Sequence, residues 1–196
     1  MRLVLCSGSP RRREMLPRLG LRFDVEVPRV TEERAPGESI DAYPERLARD
    51  KAAAGLESWR KRGGQGPAVA LAADTVVILG DEVLEKPRDR AEAQRMLRKL
   101  SGAEHRVITG VCVATDGEVR SRAVVTGVHF TDLSDAATKW LAESGDGDDK
   151  AGAYAVQGLA GAFVDRVEGS FSNVVGLPLT ETLQLLAGTG LRMPWG

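Results

Sequence analysis

The chain has 196 residues, 42% hydrophobic and 28% charged, with 27 Lys plus Arg against 28 Asp plus Glu and a formal net charge of −1. That is the composition of an ordinary soluble globule, long enough to bury a full core as one domain or as two closely joined lobes. The even charge balance argues against a protein whose main task is coating nucleic acid or an anionic membrane, while leaving room for a locally basic pocket.

Apolar runs alternate with helical patterns, and no solenoid repeat or low-complexity tract interrupts them. Residues 3–6 read as a strand, and Ser7-Gly8-Ser9-Pro10 then opens a helix that runs to about Gly20. Residues 22–27 alternate as a second strand, residues 28–39 form a polar loop, and a long helix is predicted over 40–62. Gly63-Gly64-Gln65-Gly66-Pro67 breaks it. Residues 68–73 and 76–79 are strand-like on either side of Asp74-Thr75, and Gly80-Asp81 is a hairpin-type turn. Asp89 caps a helix whose Ala93, Met96, Leu97 and Leu100 fall at helical spacing. Residues 106–114 and 119–133 are strand-like around the turn Thr115-Asp116-Gly117, and Ser134 caps a short helix ending near Gly145. Two further strands and a helix over 179–186 complete a mixed α/β chain. The apolar run at residues 1–6 is too short for a secretory signal or a membrane span, and Cys6 and Cys112 read as buried thiols, so a cytoplasmic protein is expected.

Chemistry concentrates at a few positions. Ser7-Gly8-Ser9-Pro10-Arg11-Arg12-Arg13 stands at a strand-to-helix turn, where free N–H groups and the positive helix end attract anions. Three arginines there cost the helix about 0.3–1 kcal/mol each, which suits a turn that receives a polyphosphate; a solvated basic turn is the other reading. Asp74 interrupts the twelve-residue run 68–79, apolar except for Thr75. A carboxylate in that run needs a cation or hydrogen-bond donors. It is either a metal ligand or general base at a strand end, or an Asp capping a turn between two strands. Lys51 shares a helical stripe with Tyr43, Leu47 and Ala54. Its stem either snorkels to water or points inward as a phosphate ligand, and Lys86 before Pro87 has the same two readings. Glu32-Glu33 either join Asp74 in holding Mg²⁺ or are surface charge. Asp146-Gly147-Asp148-Asp149 lacks the spacing of a calcium loop, and His105 and His129 are too differently set for a metal site or a triad.

Taken in order, several stretches resemble the Maf family of nucleoside triphosphate pyrophosphatases. They are Ser7-Gly8-Ser9-Pro10-Arg11-Arg12, Glu32, Arg46-Leu47-Ala48-x-x-Lys51, Ala73-Asp74-Thr75-Val76-Val77 and Glu85-Lys86-Pro87, followed by residues 97–102, 149–158 and 169–178. The resemblance implies an α/β fold with a mixed sheet and two lobes around a deep nucleotide-binding cleft, inosine-triphosphatase-like. It implies a single domain over 1–196, often dimeric. The implied reaction cuts a nucleoside triphosphate between its α and β phosphates with a divalent cation, Mg²⁺ or Mn²⁺. By the same resemblance Asp74 is the general base or the metal-held carboxylate, Glu32 helps hold the metal, and Ser9, Arg12, Lys51 and Lys86 bind the phosphates.

Base choice in the family follows positions that match Arg11, Thr75 and Gln157, and this combination resembles the branch acting on dTTP and UTP. Gln157 offers a donor and an acceptor to the O4/N3–H edge of uracil or thymine. The alternatives are the branch acting on 7-methyl-GTP and a septum-formation regulator acting through a partner. Nucleic-acid and membrane partners are not expected.

Overall fold

The structure, a computed structural model, describes residues 1–195. In chain order the elements are β1 (Arg2–Cys6), α1 (Pro10–Arg18), β2 (Phe23–Glu26), α2 (Tyr43–Lys61), β3 (Ala68–Leu79), β4 (Glu82–Leu84) and α3 (Arg90–Leu100). They continue with β5 (Glu104–Ala114), β6 (Val119–Phe130), α4 (Asp135–Ser144), β7 (Val164–Glu168), α5 (Phe171–Val175) and α6 (Leu179–Leu186). The strands form a mixed seven-stranded sheet in the order β2-β1-β3-β5-β6-β7, with β4 paired to β3. The chain divides into two compact units. The first holds Met1–Asp74, Thr109–Val124 and the residues from Gly176 onward; the second holds Thr75–Ile108 and Val125–Val175.

In the first unit β1 pairs in parallel with β2 on one side and β3 on the other. Leu3, Val4, Leu5 and Cys6 are all buried, as expected of a parallel strand covered on both faces. Alanines dominate the cluster where α2 meets the sheet, with Ala48 and Ala52 packed on Val4, Cys6, Ala68, Ala70 and Ala72. Small side chains let the helix approach closely. A Cβ on Gly55 would lie 2.3 Å from Cys6 Sγ, so this helix position accepts only glycine without a shift.

The second unit has a larger-chained core in which Leu97 and Leu100 of α3, Phe130 of β6 and Leu141 of α4 are buried together with Tyr154. Each such side chain contributes roughly 1.5–3 kcal/mol through burial. Both predicted caps form: Asp89 accepts from Glu92 N at 2.7 Å, and Ser134 accepts from Ala137 N at 3.2 Å. Gly145 closes α4 at φ 74°.

Three expectations are corrected. The long helix begins at Tyr43 rather than residue 40, because Ala42 N and Tyr43 N both donate to Ser39 O in a tight turn ahead of it. Residues 68–79 form one unbroken strand, so Asp74 sits neither at a strand end nor in a turn. The β-branched residues Thr75, Val76, Val77 and Ile78 keep the chain extended through it. Between α4 and α6, β7 is the one further strand among the described residues instead of two. Gly152 and Ala153 take φ of 71° and 60° in succession, which no strand accommodates, and the chain turns there. Cys6 and Cys112 are free and buried.

Candidate active site

Strand order places the first cluster. From β1 the chain goes to β2 on one side, then through α2 to β3 on the other, so the carboxyl end of β1 is a topological switch point, the usual ligand position in open α/β sheets. Leu5 pairs with Leu71 near the carboxyl end of β1, three residues before Asp74 on β3. The Ser7-Gly8-Ser9 turn and the central carboxylate are linked through Arg12, which donates to Ser7 Oγ and whose guanidinium feels the Asp74 charge.

Lys51 is the hub. Its Nζ donates to Asp74 Oδ1 at 2.6 Å and pairs with Glu32 Oε1 at 2.6 Å. The Lys51 and Asp74 side chains are only 11% and 12% exposed, against 55% for Glu32. The lysine stem therefore points inward with its stripe and does not snorkel out. Burial of Asp74 is sustained by a full positive charge.

Arg12 lies buried on α1, where Pro10 supplies the first turn. Its Nε donates to Gly176 O at 2.7 Å and its Nη1 to Ser7 Oγ at 3.2 Å. Burial lowers the guanidinium pKa to about 10, against the raising influence of Asp74 and Glu32, so it stays charged at neutral pH. Ser9 N donates to Ser7 Oγ at 3.2 Å, and Ser9 makes no side-chain cap of its own. Arg11 is half-buried beside Arg12.

The remaining predicted residues belong to the second unit. Thr75 is half-buried on β3, while Lys86 and Gln157 are exposed. The segments carrying the last two are tied together, since Gly152 N donates to Glu85 O at 3.1 Å. Tyr154 anchors the turn ahead of Gln157 through a 2.7 Å hydrogen bond between its OH and His105 Nε2. Asp146 Oδ2 accepts from Leu159 N at 3.0 Å and sits where a Cβ on Gly158 would fall, 1.9 Å away. The acidic run thus braces a turn. His129 is differently engaged, pairing with Asp165 Oδ1 at 2.6 Å near the surface.

Sequence reasoning names the residues that hold these groups only within motifs or a helical stripe and gives them no holding role: Ser7 and Gly176 for Arg12, and Tyr43 with Arg46 for the Glu32 loop. The α2 motif does contain Arg46, five residues before Lys51, but the partners that tie it to the loop, Glu38 and Glu33 O, lie outside the helix. A backbone acceptor such as Gly176 O shows in the sequence only as a glycine, here at φ 117°, with nothing to name the side chain it serves.

The family described as Maf-like protein matches residues 2–189. The chain is 52% identical over 185 residues to a dTTP/UTP pyrophosphatase of Vibrio cholerae, covering 94% of this chain and 96% of the relative. It is 52% identical over 199 residues to a dTTP/UTP pyrophosphatase of Anaeromyxobacter dehalogenans, covering 99% and 97%. A dTTP/UTP pyrophosphatase of Escherichia coli O157:H7 is 49% identical over 185 residues, covering 94% and 91%.

Proposed function

Because the chain belongs to the Maf family, we propose that it is a nucleoside triphosphate pyrophosphatase, hydrolysing dTTP and UTP to the monophosphate and pyrophosphate. The observation that carries this reading is the Lys51 ammonium held between the carboxylates of Asp74 and Glu32. The names of the relatives support the choice of dTTP and UTP. The family match runs through both units, which supports reading 1–196 as one catalytic domain.

A divalent cation fits the donor set. Asp74 and Glu32 already direct one hard oxygen each at a single cation, the lysine ammonium. Among the described residues no group of three or more His, Cys, Asp and Glu could hold a metal alone. The pair of carboxylates suits Mg²⁺ or Mn²⁺, which take one or two carboxylates and complete their shell with substrate phosphates and water. When bound by these two carboxylates, the ion would draw charge from the phosphoryl oxygens and make nearby water more acidic.

The chain's own residues do the rest. Asp74, as general base, takes a proton from the attacking water as its oxygen bonds to the α-phosphorus. The bond from that phosphorus to the α–β bridging oxygen breaks, and pyrophosphate departs with the electron pair. Arg12, Lys51 and Lys86 neutralise the charge gathering on the leaving group, and Ser9 adds a hydroxyl at the turn. Arg11, Thr75 and Gln157 select the base. The protein acts on a free nucleotide in the cytoplasm, as a homodimer, with no nucleic acid or membrane partner. No helix among the described residues is long and apolar enough to cross a membrane.

Pyrophosphate release from dTTP, UTP, CTP, GTP, ATP and 7-methyl-GTP, with Mg²⁺ or Mn²⁺ and with chelator, tests the reading. Metal-dependent turnover of dTTP and UTP is expected, and Asp74→Asn should lower it by orders of magnitude in a folded protein. Turnover of 7-methyl-GTP alone would discard the roles of Arg11, Thr75 and Gln157, and silence across the panel would overturn the enzyme.

A further inference from the structure

Glu32 presents a puzzle of position. It lies in the loop between β2 and α2, outside any regular element, yet its carboxylate reaches Lys51 Nζ at 2.6 Å. A free loop would pay heavily in conformational entropy to keep one carboxylate there. Something must hold the backbone on both sides of it.

The holding groups come from the first turn of α2. Tyr43 OH donates to Glu32 O at 2.7 Å, and Arg46 Nη2 donates to Glu33 O at 2.8 Å, so the carbonyls of two successive loop residues are taken. Arg46 then grips Glu38 with both arms of its fork, Nε to Oε1 at 2.6 Å and Nη2 to Oε2 at 3.0 Å. Glu38 Oε2 also accepts from Ala35 N at 2.9 Å, which folds the middle of the loop back on itself. The third guanidinium nitrogen, Nη1, donates to Asp50 Oδ2 at 2.8 Å, one helical turn on, and the guanidinium stands 5.5 Å from the Tyr43 ring centre. Each of Arg46's three guanidinium nitrogens therefore donates to an acceptor on the loop or on its own helix.

That helical turn is itself seated firmly. Pro44 follows Tyr43 in it, and a Cβ on Gly110 of β5 would lie 2.2 Å from Pro44 O, so the turn rests directly on bare strand backbone. Five residues after Arg46, the same helix presents Lys51. One rigid element thus sets both the lysine and, through Tyr43 and Arg46, the loop carboxylate that meets it.

We propose that Arg46 is a positioning residue for Glu32: its fork to Glu38 and Glu33 O fixes the loop so that Glu32 and Asp74 converge on one cation. The inference rests on the pyrophosphatase reading for its activity assay, but the geometry concerns cation binding alone. A lysine cannot replace the arginine, because an ammonium offers no planar fork to a carboxylate and a carbonyl together.

Arg46→Gln and Arg46→Lys are compared with the unaltered protein for the Mg²⁺ concentration that gives half-maximal dTTP turnover and for kcat at saturating Mg²⁺. The half-saturating Mg²⁺ should rise about tenfold in both variants, the range seen when groups that orient a metal-holding side chain are lost, while kcat at saturation changes far less. Mn²⁺ binding with the unreactive α,β-methylene analogue of dTTP, read by electron paramagnetic resonance, should weaken in parallel. The same titration with Mn²⁺ alone gives a second readout if the unaltered protein proves inactive on dTTP, which would defeat the pyrophosphatase reading and not this one.

The decisive comparison is the double variant. With Glu32→Gln already in place, Arg46→Gln should weaken Mn²⁺ binding no further, since the group it positions is gone. Additive losses in the double variant, an unchanged Mg²⁺ requirement in Arg46→Gln, or rescue by Arg46→Lys would each overturn the assignment. Glu38→Gln lies outside the helix and should move the Mg²⁺ requirement in the same direction as Arg46→Gln; no movement would also overturn it.

Discussion

Lys51→Met isolates the charge at the centre of the cluster, because methionine preserves the length and apolar stem of the lysine along α2. In the native protein the ammonium lies 2.6 Å from both Asp74 Oδ1 and Glu32 Oε1. Removing one partner of a buried ion pair costs about 3–5 kcal/mol. Two carboxylate oxygens each 2.6 Å from the same nitrogen lie at most about 5 Å apart, and at an effective dielectric of 20 they repel by at least about 3 kcal/mol. Glu32, at 55% exposure, can turn to water and shed most of that repulsion, which leaves the Asp74 contribution dominant. The expected loss at neutral pH is therefore about 3 kcal/mol, or roughly 6–12 °C in melting temperature for a chain of this length. Thermal unfolding in chelator and then in excess Mg²⁺ reads it. Mg²⁺ should raise the melting temperature more in Lys51→Met than in the unaltered protein, since it restores positive charge between the carboxylates. Turnover should stay depressed in Mg²⁺, because the phosphate contact made by the lysine is not restored. A variant as stable as the parent in chelator would refute the charge argument, and a melting temperature indifferent to Mg²⁺ would refute the carboxylate pair as a cation site.

Three further outcomes follow from the core. Burial lowers the His105 imidazole pKa to about 4 from 6.5; the unfolded chain therefore takes up this proton first, and the contribution is complete above about pH 6.5, declines on acidification and is gone near pH 4. About 3 kcal/mol is at stake, so urea midpoints should fall more steeply over that window in the parent than in His105→Gln, and equal slopes would reject it. Burial pushes the thiols up, to about 12 for Cys6 and about 11 for Cys112, so a thiol reagent near pH 8 should label neither until urea unfolds the chain; prompt labelling of native protein would contradict the packing. Gly55→Ala would set a methyl 2.3 Å from Cys6 Sγ and 2.7 Å from its Cβ, costing about 1–3 kcal/mol in urea unfolding, and an unchanged midpoint would mean that α2 sits farther from β1.

Where the sequence spoke clearly, the signal was confined to a turn or two of chain. Asp89 and Ser134 cap helices because a short polar side chain meets an amide three residues on. Gly80 makes the hairpin because its φ of 59° is open to glycine. Buried strands β1 and β3 show as apolar runs for the same local reason. The misplacements are local signals that compete. Asp74 reads as a breaker of its strand only while its counter-ion is unknown, and once Lys51 supplies the charge nothing obliges the chain to leave the sheet. The sequence predicts two further strands before the last helix, yet two successive left-handed residues, Gly152 and Ala153, turn the chain and β7 alone forms among the described residues.

The site was legible as chemistry and not as partnership. Asp74 and Lys51 stand out because a charge in an apolar run or stripe has to be compensated, but the choice of partner is made by topology. The crossing from β2 to the far side of β1 sets β3, which carries Asp74, beside the strand that leads into residues 7–12, and the helix that makes that crossing carries Lys51. Arg12 needs a carbonyl 164 residues away, a backbone atom held at a φ of 117° that favours glycine at 176 but does not say which side chain the carbonyl serves. Arg46 is the sharper case. Its i,i+4 relation to Asp50 can be read from spacing and would suggest an ordinary surface pair worth about 0.3–0.5 kcal/mol. The bonds to Glu33 O and Glu38, which give it a bearing on Glu32, depend on how the loop closes over the helix, and loop closure is written in no single spacing.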